Sequence, residues 1–225
     1  IYGRIKSDDF ITFDINIKEV ELIETRDVMF QHKALDEEIE GFTLGPVDFE
    51  AGRGEIVFIT GGNGSGKTTL AKLLAGLYVP SGGRITINGE NIANFWLGEY
   101  CSAVFDDYHL CRKPGKFGPG FDEKLRKAKK FLKKMRLEKK VQISDNTMST
   151  GELSGVLRKR LALLLSYLEN SPVCLFDEVA AGQEHRFRDF FYRELLPELK
   201  DQNKIVIVIT QDDHYFDVAD KIVKM

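Results

Sequence analysis

Nine residues, "GGNGSGKTT" at 61–69, constrain this chain more than any other stretch. They satisfy G-x-x-x-x-G-K-[ST]. The apolar run "EIVFIT" precedes them, and Leu70, Leu73, Leu74 and Leu77 follow at i, i+3, i+4, i+7. That order predicts a buried strand, a glycine-rich turn and a helix with one apolar face. Gly61, Gly62, Gly64 and Gly66 let successive backbone N–H groups turn inward, Asn63, Ser65 and Thr69 complete the loop, and the helix start adds its dipole. Such a cradle suits the phosphates of ATP. Lys67 is expected to reach the β- and γ-phosphates, and the Thr68 hydroxyl to bind Mg²⁺.

A second apolar run, "VCLFDE" at 173–178, ends in two acids. It predicts a central strand with Asp177 at its carboxyl end, holding Mg²⁺ directly or through water. Glu178, one residue further on, is placed to orient and deprotonate an attacking water.

The rest of the chain supplies a setting for these two. Residues 20–30 and 41–50 are β-like, and "SGGRITINGE" reads as turn, strand and an Asn88–Gly89 hairpin signal. Leu157, Leu161, Leu164, Leu165 and Leu168 line one helix face; "FRDFFYRELLPEL" predicts a helix broken near Pro197; "KIVIVIT" is a buried strand, and "FDVADKIVKM" a short helix and strand. Alternating strands and helices mean an α/β chain with a largely parallel sheet covered on both faces. Between the halves, residues 121–140 carry ten Lys and Arg, with Phe121, Leu125, Ala128, Leu132 and Met135 at helical spacing beneath them. This is read as an inserted helix whose lysines face water, the alternative being attraction to acidic lipid headgroups or an acidic partner.

Composition narrows the function classes. With a formal charge of −3 over 225 residues, nothing global argues for nucleic acid. No run approaches the 18 apolar residues of a membrane span. Cys101, Cys111 and Cys174 form no CxxC pair, which fits reduced thiols better than a disulfide framework. The first residue is Ile1 rather than Met, so a cut from a longer polypeptide carrying a membrane segment is expected.

Taken together, these stretches resemble the ATP-binding cassette (ABC) family, ATPase domains that work as head-to-tail pairs sandwiching two ATPs. The likeness is strongest to the ATPase half of bacterial exporters of cyclic or non-ribosomal peptides and peptide siderophores, of the syringomycin, pyoverdine and microcin type. It runs from about Val20 to Met225, through the complete phosphate loop, "SAVFDDYHL", "LFDEVAAGQEHRFRDFFYRELLPELK" and "DDHYFDVADKI". The resemblance implies a P-loop NTPase fold of ABC ATPase type: a mostly parallel core sheet, an N-terminal antiparallel β part and an inserted helical subdomain. Residues 20–225 would be the nucleotide-binding domain, with about 20–105 and 157–225 as core and about 106–156 as helical subdomain; residues 1–19 would be a linker from a membrane domain. The implied partners are a second copy, as a homodimer, and the transmembrane domain of the same transporter, with no nucleic acid. The implied location is the cytoplasmic face of the bacterial inner membrane, the fragment alone being soluble.

Several positions depart from the family pattern. "STGELSGVLRKR" at 149–160 resembles the signature loop L-S-x-G-Q, in which Ser154 and Gly155 would meet the γ-phosphate of the partner's ATP. Leu153 and Ser154 are kept, but Val156 stands where the family has glycine and Leu157 where it has glutamine. Gln211 occupies the switch-histidine position; an amide hydrogen-bonds a γ-phosphate but carries no proton. Asp106 falls where a glutamine usually approaches Mg²⁺, and His32 where an aromatic ring stacks on adenine. The loop after Glu178 reads Ala180, Ala181, Gly182, Gln183, Glu184, His185 against A-A-D-Q-D-P.

The groups that bind nucleotide and metal within one chain are thus intact, while those acting across a dimer or sensing γ-phosphate are altered. The leading expectation is an ATPase motor domain of a peptide or siderophore exporter with weak turnover, using Glu178, Lys67 and Gln211 in catalysis. The alternative is a non-hydrolytic or regulatory ATP-binding module of the same fold. A soluble ATPase acting on DNA or ribosomes lacks support in global charge, a second cassette or a coiled-coil insertion.

Overall fold

The computed structural model describes residues 19–31, 42–105, 121–144, 147–150 and 152–225. His32, Asp106 and Cys111 lie outside the described residues.

Two sheets form the body. The first is antiparallel, in the order β2–β1–β4–β5, from β1 (Leu22–Gln31), β2 (Thr43–Gly52), β4 (Gly82–Ile87) and β5 (Glu90–Asn91). The Asn88–Gly89 signal is realised as the turn joining β4 to β5, with φ 54° and 80° at the two residues. Asn88 Oδ1 also accepts from the backbone N–H of Glu21 and Leu22, tying the turn to the start of β1.

The second sheet is wholly parallel, in the order β11–β3–β10–β9–β6, from β3 (Ile56–Thr60), β6 (Cys101–Val104), β9 (Val173–Asp177), β10 (Ile205–Ile209) and β11 (Lys221–Lys224). Its central strands are apolar up to their carboxyl ends, where Thr60 and Asp177 stand, because both faces are covered. Ile56, Phe58, Cys174, Phe176, Val206 and Val208 point into one core, while Val57, Ile59, Val173, Leu175, Ile205 and Ile207 alternate into the other. The first core is closed by α3 (Phe121–Lys134), α4 (Gly155–Glu169) and the helical stretch from α5 (His185–Asp189) to α6 (Leu196–Asp201). The second is closed by α1 (Lys67–Leu74), the short α2 (Leu97–Tyr100) and the antiparallel sheet.

Two local expectations are corrected. The apolar face of α1 ends before Leu77. Gly76 takes φ 73°, the N–H of Leu77 returns to Lys72 O, and Leu77 is left 61% exposed. Nor does the chain break at Pro197. It stays helical by widening into a π turn over Phe190–Leu195, just where the proline ring would crowd the carbonyl four residues earlier. The widening lets three successive rings, Phe190, Phe191 and Tyr192, all enter the core.

The middle of the chain is helical only in part. After α3 comes a β-hairpin, β7 (Val141–Ser144) with β8 (Thr147–Thr150). Ala128, Phe131, Leu132 and Met135 pack into the same core as α4, while Lys129, Lys130 and Lys133 face solvent. No described helix is long and apolar enough to cross a membrane.

Candidate active site

Register decides what meets at the edge of the parallel sheet. Ile209 pairs with Ile59 on one side and with Asp177 on the other, so β3, β10 and β9 end level. The residues that follow, from Gly61, Gln211 and Glu178 onward, therefore emerge side by side at the carboxyl edge, where parallel sheets gather ligands.

The phosphate loop leaves β3 through Gly61, whose φ of 145° and contact with the chain end both demand glycine: an added Cβ would lie 2.3 Å from Met225 O. Gly66, at φ 95°, begins α1 without lending it a side-chain cap, and a Cβ there would lie 2.5 Å from Leu44 Cδ1. Gly62 and Gly64 have nothing within 4 Å of that position, so the concave side of the loop is open to a close ligand. Lys67 is buried, and its ammonium donates to Gly61 O at 2.9 Å and Gly62 O at 2.7 Å, with Ser65 Oγ at 3.5 Å. Thr68 is exposed in the first turn of α1 and Thr69 is buried behind it.

Asp177 is buried at the end of β9. Glu178 takes the left-handed conformation, φ 48°, uncommon for a residue other than glycine, and its N–H donates to Ile209 O at 3.1 Å. The turn throws its side chain out of the sheet and towards the loop. Gln211 closes the arrangement: its Nε2 donates to Glu178 Oε1 at 3.2 Å and to Asn63 Oδ1 at 3.3 Å. A cavity of about 440 Å³ opens beside them, lined among others by Glu178, Gln183, Arg188, Thr210, Gln211 and Asp212, with room for water against the carboxylate.

The turn predicted to act across a dimer stands elsewhere. Ser154 caps α4, its Oγ accepting from Leu157 N at 3.4 Å, and Gly155 opens the helix with free space around it. Val156 is 40% exposed, while Leu157 is turned inward and packs against the core. The glutamine-to-leucine departure thus has a packing use, while the valine faces outward.

Sequence reasoning missed the brace behind this turn. Arg160 is 5% exposed, and its Nε donates to Gln183 Oε1 at 2.9 Å, its Nη1 to Met135 O at 3.0 Å and its Nη2 to Glu184 Oε1 at 3.2 Å. Gln183 Nε2 donates in turn to Val156 O at 3.3 Å. The loop after Glu178 is therefore fastened to the start of α4 although its acidic positions have changed. Arg160 lay in plain view among "RKR", but nothing in the spacing separates a buried guanidinium from its solvated neighbours.

Burial pushes the Cys174 thiol up to about 12 and raises Cys101 as well, which disfavours the thiolate at both described cysteines. Among the described residues no three His, Cys, Asp or Glu side chains form a metal cluster of their own.

Comparison with known proteins identifies the family and the fold. The family model described as ABC transporter matches residues 44–181. The ATP-binding protein SyrD of Pseudomonas syringae pv. syringae is 45% identical over 193 residues, which are 82% of this chain and 33% of that protein. A probable ABC transporter ATP-binding/permease protein of Haemophilus influenzae (strain ATCC 51907 / DSM 11121 / KW20 / Rd) is 27% identical over 224 residues, 93% of this chain and 39% of its own. The chain thus spans a third of the first relative's length and 39% of the second's. Among solved structures, a dimeric ATP-binding cassette in a post-hydrolysis state, bound to ADP and Pi, superposes with TM-score 0.72 at 21% identity over 90% of this chain and 94% of that one. That likeness speaks for the fold.

Proposed function

The chain belongs to the ABC transporter family as an ATPase domain, and from that premise we propose that it powers an exporter of a cyclic or non-ribosomal peptide or a peptide siderophore, turning over slowly. The observation that carries the catalytic reading is Gln211, which joins Asn63 of the phosphate loop to Glu178 by hydrogen bonds of 3.3 and 3.2 Å.

The residues present fit Mg·ATP: Gly62 and Gly64 leave the loop open, Thr68 is exposed at the helix start, and Asp177 ends β9, one strand beyond the neighbour of β3. Thr68 and Asp177 would hold Mg²⁺, which supplies charge neutralisation on the phosphate oxygens. Lys67, now folded onto two loop carbonyls, needs only to swing outward to meet phosphate. Glu178 takes the proton of the attacking water while Gln211 fixes the carboxylate and loop together. The amide donates at any pH and accepts no proton, so Gln211 positions and does not relay.

Ser154 and Gly155 are exposed at the start of α4, which supports a head-to-tail pair in which each chain completes the other's site. Residues 20–225 then act as one nucleotide-binding domain, with the stretch from about 106 to 156 as its inserted subdomain, docked beneath a transmembrane domain at the cytoplasmic face of the inner membrane. The exposed Val156 favours slow turnover, and taken to its limit it favours a non-hydrolytic ATP-binding module. The cargo class rests on the exporter-type stretches and on the 45% identity to SyrD. Steady-state ATPase activity of the complete transporter in lipid, beside its Glu178→Gln variant, tests the motor reading. Activity indistinguishable between the two would leave the non-hydrolytic module standing.

A further inference from the structure

Gln211 makes its two hydrogen bonds from an exposed place, just past the last residue of β10, Ile209. Its neighbours Thr210 and Asp212 line the same cavity as Glu178, so on that side open space stands where packing would otherwise fix the turn. An amide that must stay on both Glu178 and Asn63 needs its backbone held by something else.

The holding comes from hydrogen bonds on either side of it, both from one helical stretch. Thr210 is buried; its Oγ1 lies 2.7 Å from the Tyr192 hydroxyl and accepts from Asp212 N at 3.0 Å. Tyr192 is 1% exposed and stacks on Tyr215 with ring centroids 4.3 Å apart. Burial pushes its phenol up to about 12, so the hydroxyl keeps its proton. On the far side of Gln211, Asp212 Oδ2 accepts from Arg188 Nη1 at 3.1 Å. Arg188 and Tyr192 stand about one helical turn apart, where α5 widens into the π turn, so both reach the same short segment.

We propose that Tyr192 and Arg188 are positioning residues for ATP hydrolysis: through Thr210 and Asp212 they clamp the turn on both sides of Gln211 and so set its amide against Glu178. The inference rests on the reading above in which Gln211 fixes the Glu178 carboxylate. Loosening the clamp leaves the phosphate loop and Lys67 untouched, so its effect belongs to the chemical step and not to nucleotide binding.

The test is steady-state hydrolysis of Mg·ATP by the complete transporter in lipid. It compares wild type, Tyr192→Phe, Arg188→Gln, Arg188→Lys, Gln211→Ala, and Tyr192→Phe combined with Gln211→Ala. Tyr192→Phe keeps the buried ring and its stacking and removes only the hydroxyl. It is expected to lower kcat about fivefold, the usual worth of one hydrogen bond, with KM unchanged. Arg188→Gln is expected to lower kcat about threefold, less because its ion pair is partly in solvent, and Arg188→Lys to restore it by keeping a cation for Asp212. With Gln211→Ala already present, Tyr192→Phe is expected to cost nothing further, since the residue it acts through is gone. The same loss in that background overturns the proposal and makes Tyr192 a structural support. Unchanged kcat in both Tyr192→Phe and Arg188→Gln, beside an impaired Gln211→Ala, also overturns it while sparing the role of Gln211. Gln211→Ala with the kcat of wild type defeats the reading of Gln211, and the clamp with it. Wild type without turnover defeats the motor reading and everything built on it.

Discussion

The helices α1 and α4 both begin at turns that a nucleotide-binding chain would aim at phosphate, and they begin in opposite ways. At α1 the capping position is Gly66, with φ 95° and no side chain to offer, so the first N–H groups are left for a ligand. At α4 the capping position is Ser154, whose oxygen accepts from Leu157 N, and the next outward side chain is the branched, 40% exposed Val156. One start is built from backbone and is open; the other is a sound helix terminus with a methyl-bearing obstacle on its outer side. Under the proposed function, one outward side chain impairs the α4 turn across a dimer while the helix start itself stays sound.

The sharpest way to break this contrast lies on the intact side. Glu178→Gln keeps an oxygen to accept from Gln211, and so leaves nucleotide binding largely unchanged, but it removes the base. Single-turnover phosphate release is expected to slow by roughly 10²–10⁴. If the rate is undiminished, Glu178 is not the base and the open helix start serves binding alone.

Lys67→Ala comes next in size. It removes both the ammonium and the brace across Gly61 O and Gly62 O. Charge-assisted hydrogen bonds of this kind are worth enough that Mg·ATP affinity should fall about ten- to a hundredfold by calorimetry. Equal affinities would mean that the helix start and glycine backbone hold the phosphates without it.

How much of this was legible in the sequence follows from how local each feature is. The phosphate loop and the pair Asp177–Glu178 were readable because each needs only an apolar run and the residues beside it. The two-faced parallel sheet was readable from continuous apolar strands. The Gln211 bridge was not, since it depends on Ile59, Ile209 and Asp177 lying level across three strands far apart in the chain. The Arg160 brace depends likewise on α4 meeting the loop after Glu178. Leu77 and Pro197 were misread by following periodicity and residue type past points where Gly76 and a π turn redirect the backbone.

The smallest expected effect tests the altered side. Val156→Gly removes the exposed branch at the second residue of α4, and little burial is lost because the side chain is 40% exposed. A complete backbone donor at developing charge is worth 10²–10³ in rate. Recovering part of one should raise steady-state ATPase activity about tenfold and strengthen ATP-driven dimerisation, measured by sedimentation in the Glu178→Gln background. Leu157→Gln separates packing from recognition. Leu157 rests against the core, so replacing it is expected to lower stability by about 1 kcal/mol in urea unfolding, whatever it does for turnover. The valine change should leave stability level or slightly lower, since glycine near a helix start costs backbone entropy. Because Gln211 cannot take up or relay a proton, each variant is best assayed with and without Gln211→His. A gain from Val156→Gly that appears only with histidine would place the limit at the switch position. No gain in either background would free the α4 turn from blame, and the contrast between the two helix starts would then be one of shape without consequence for turnover.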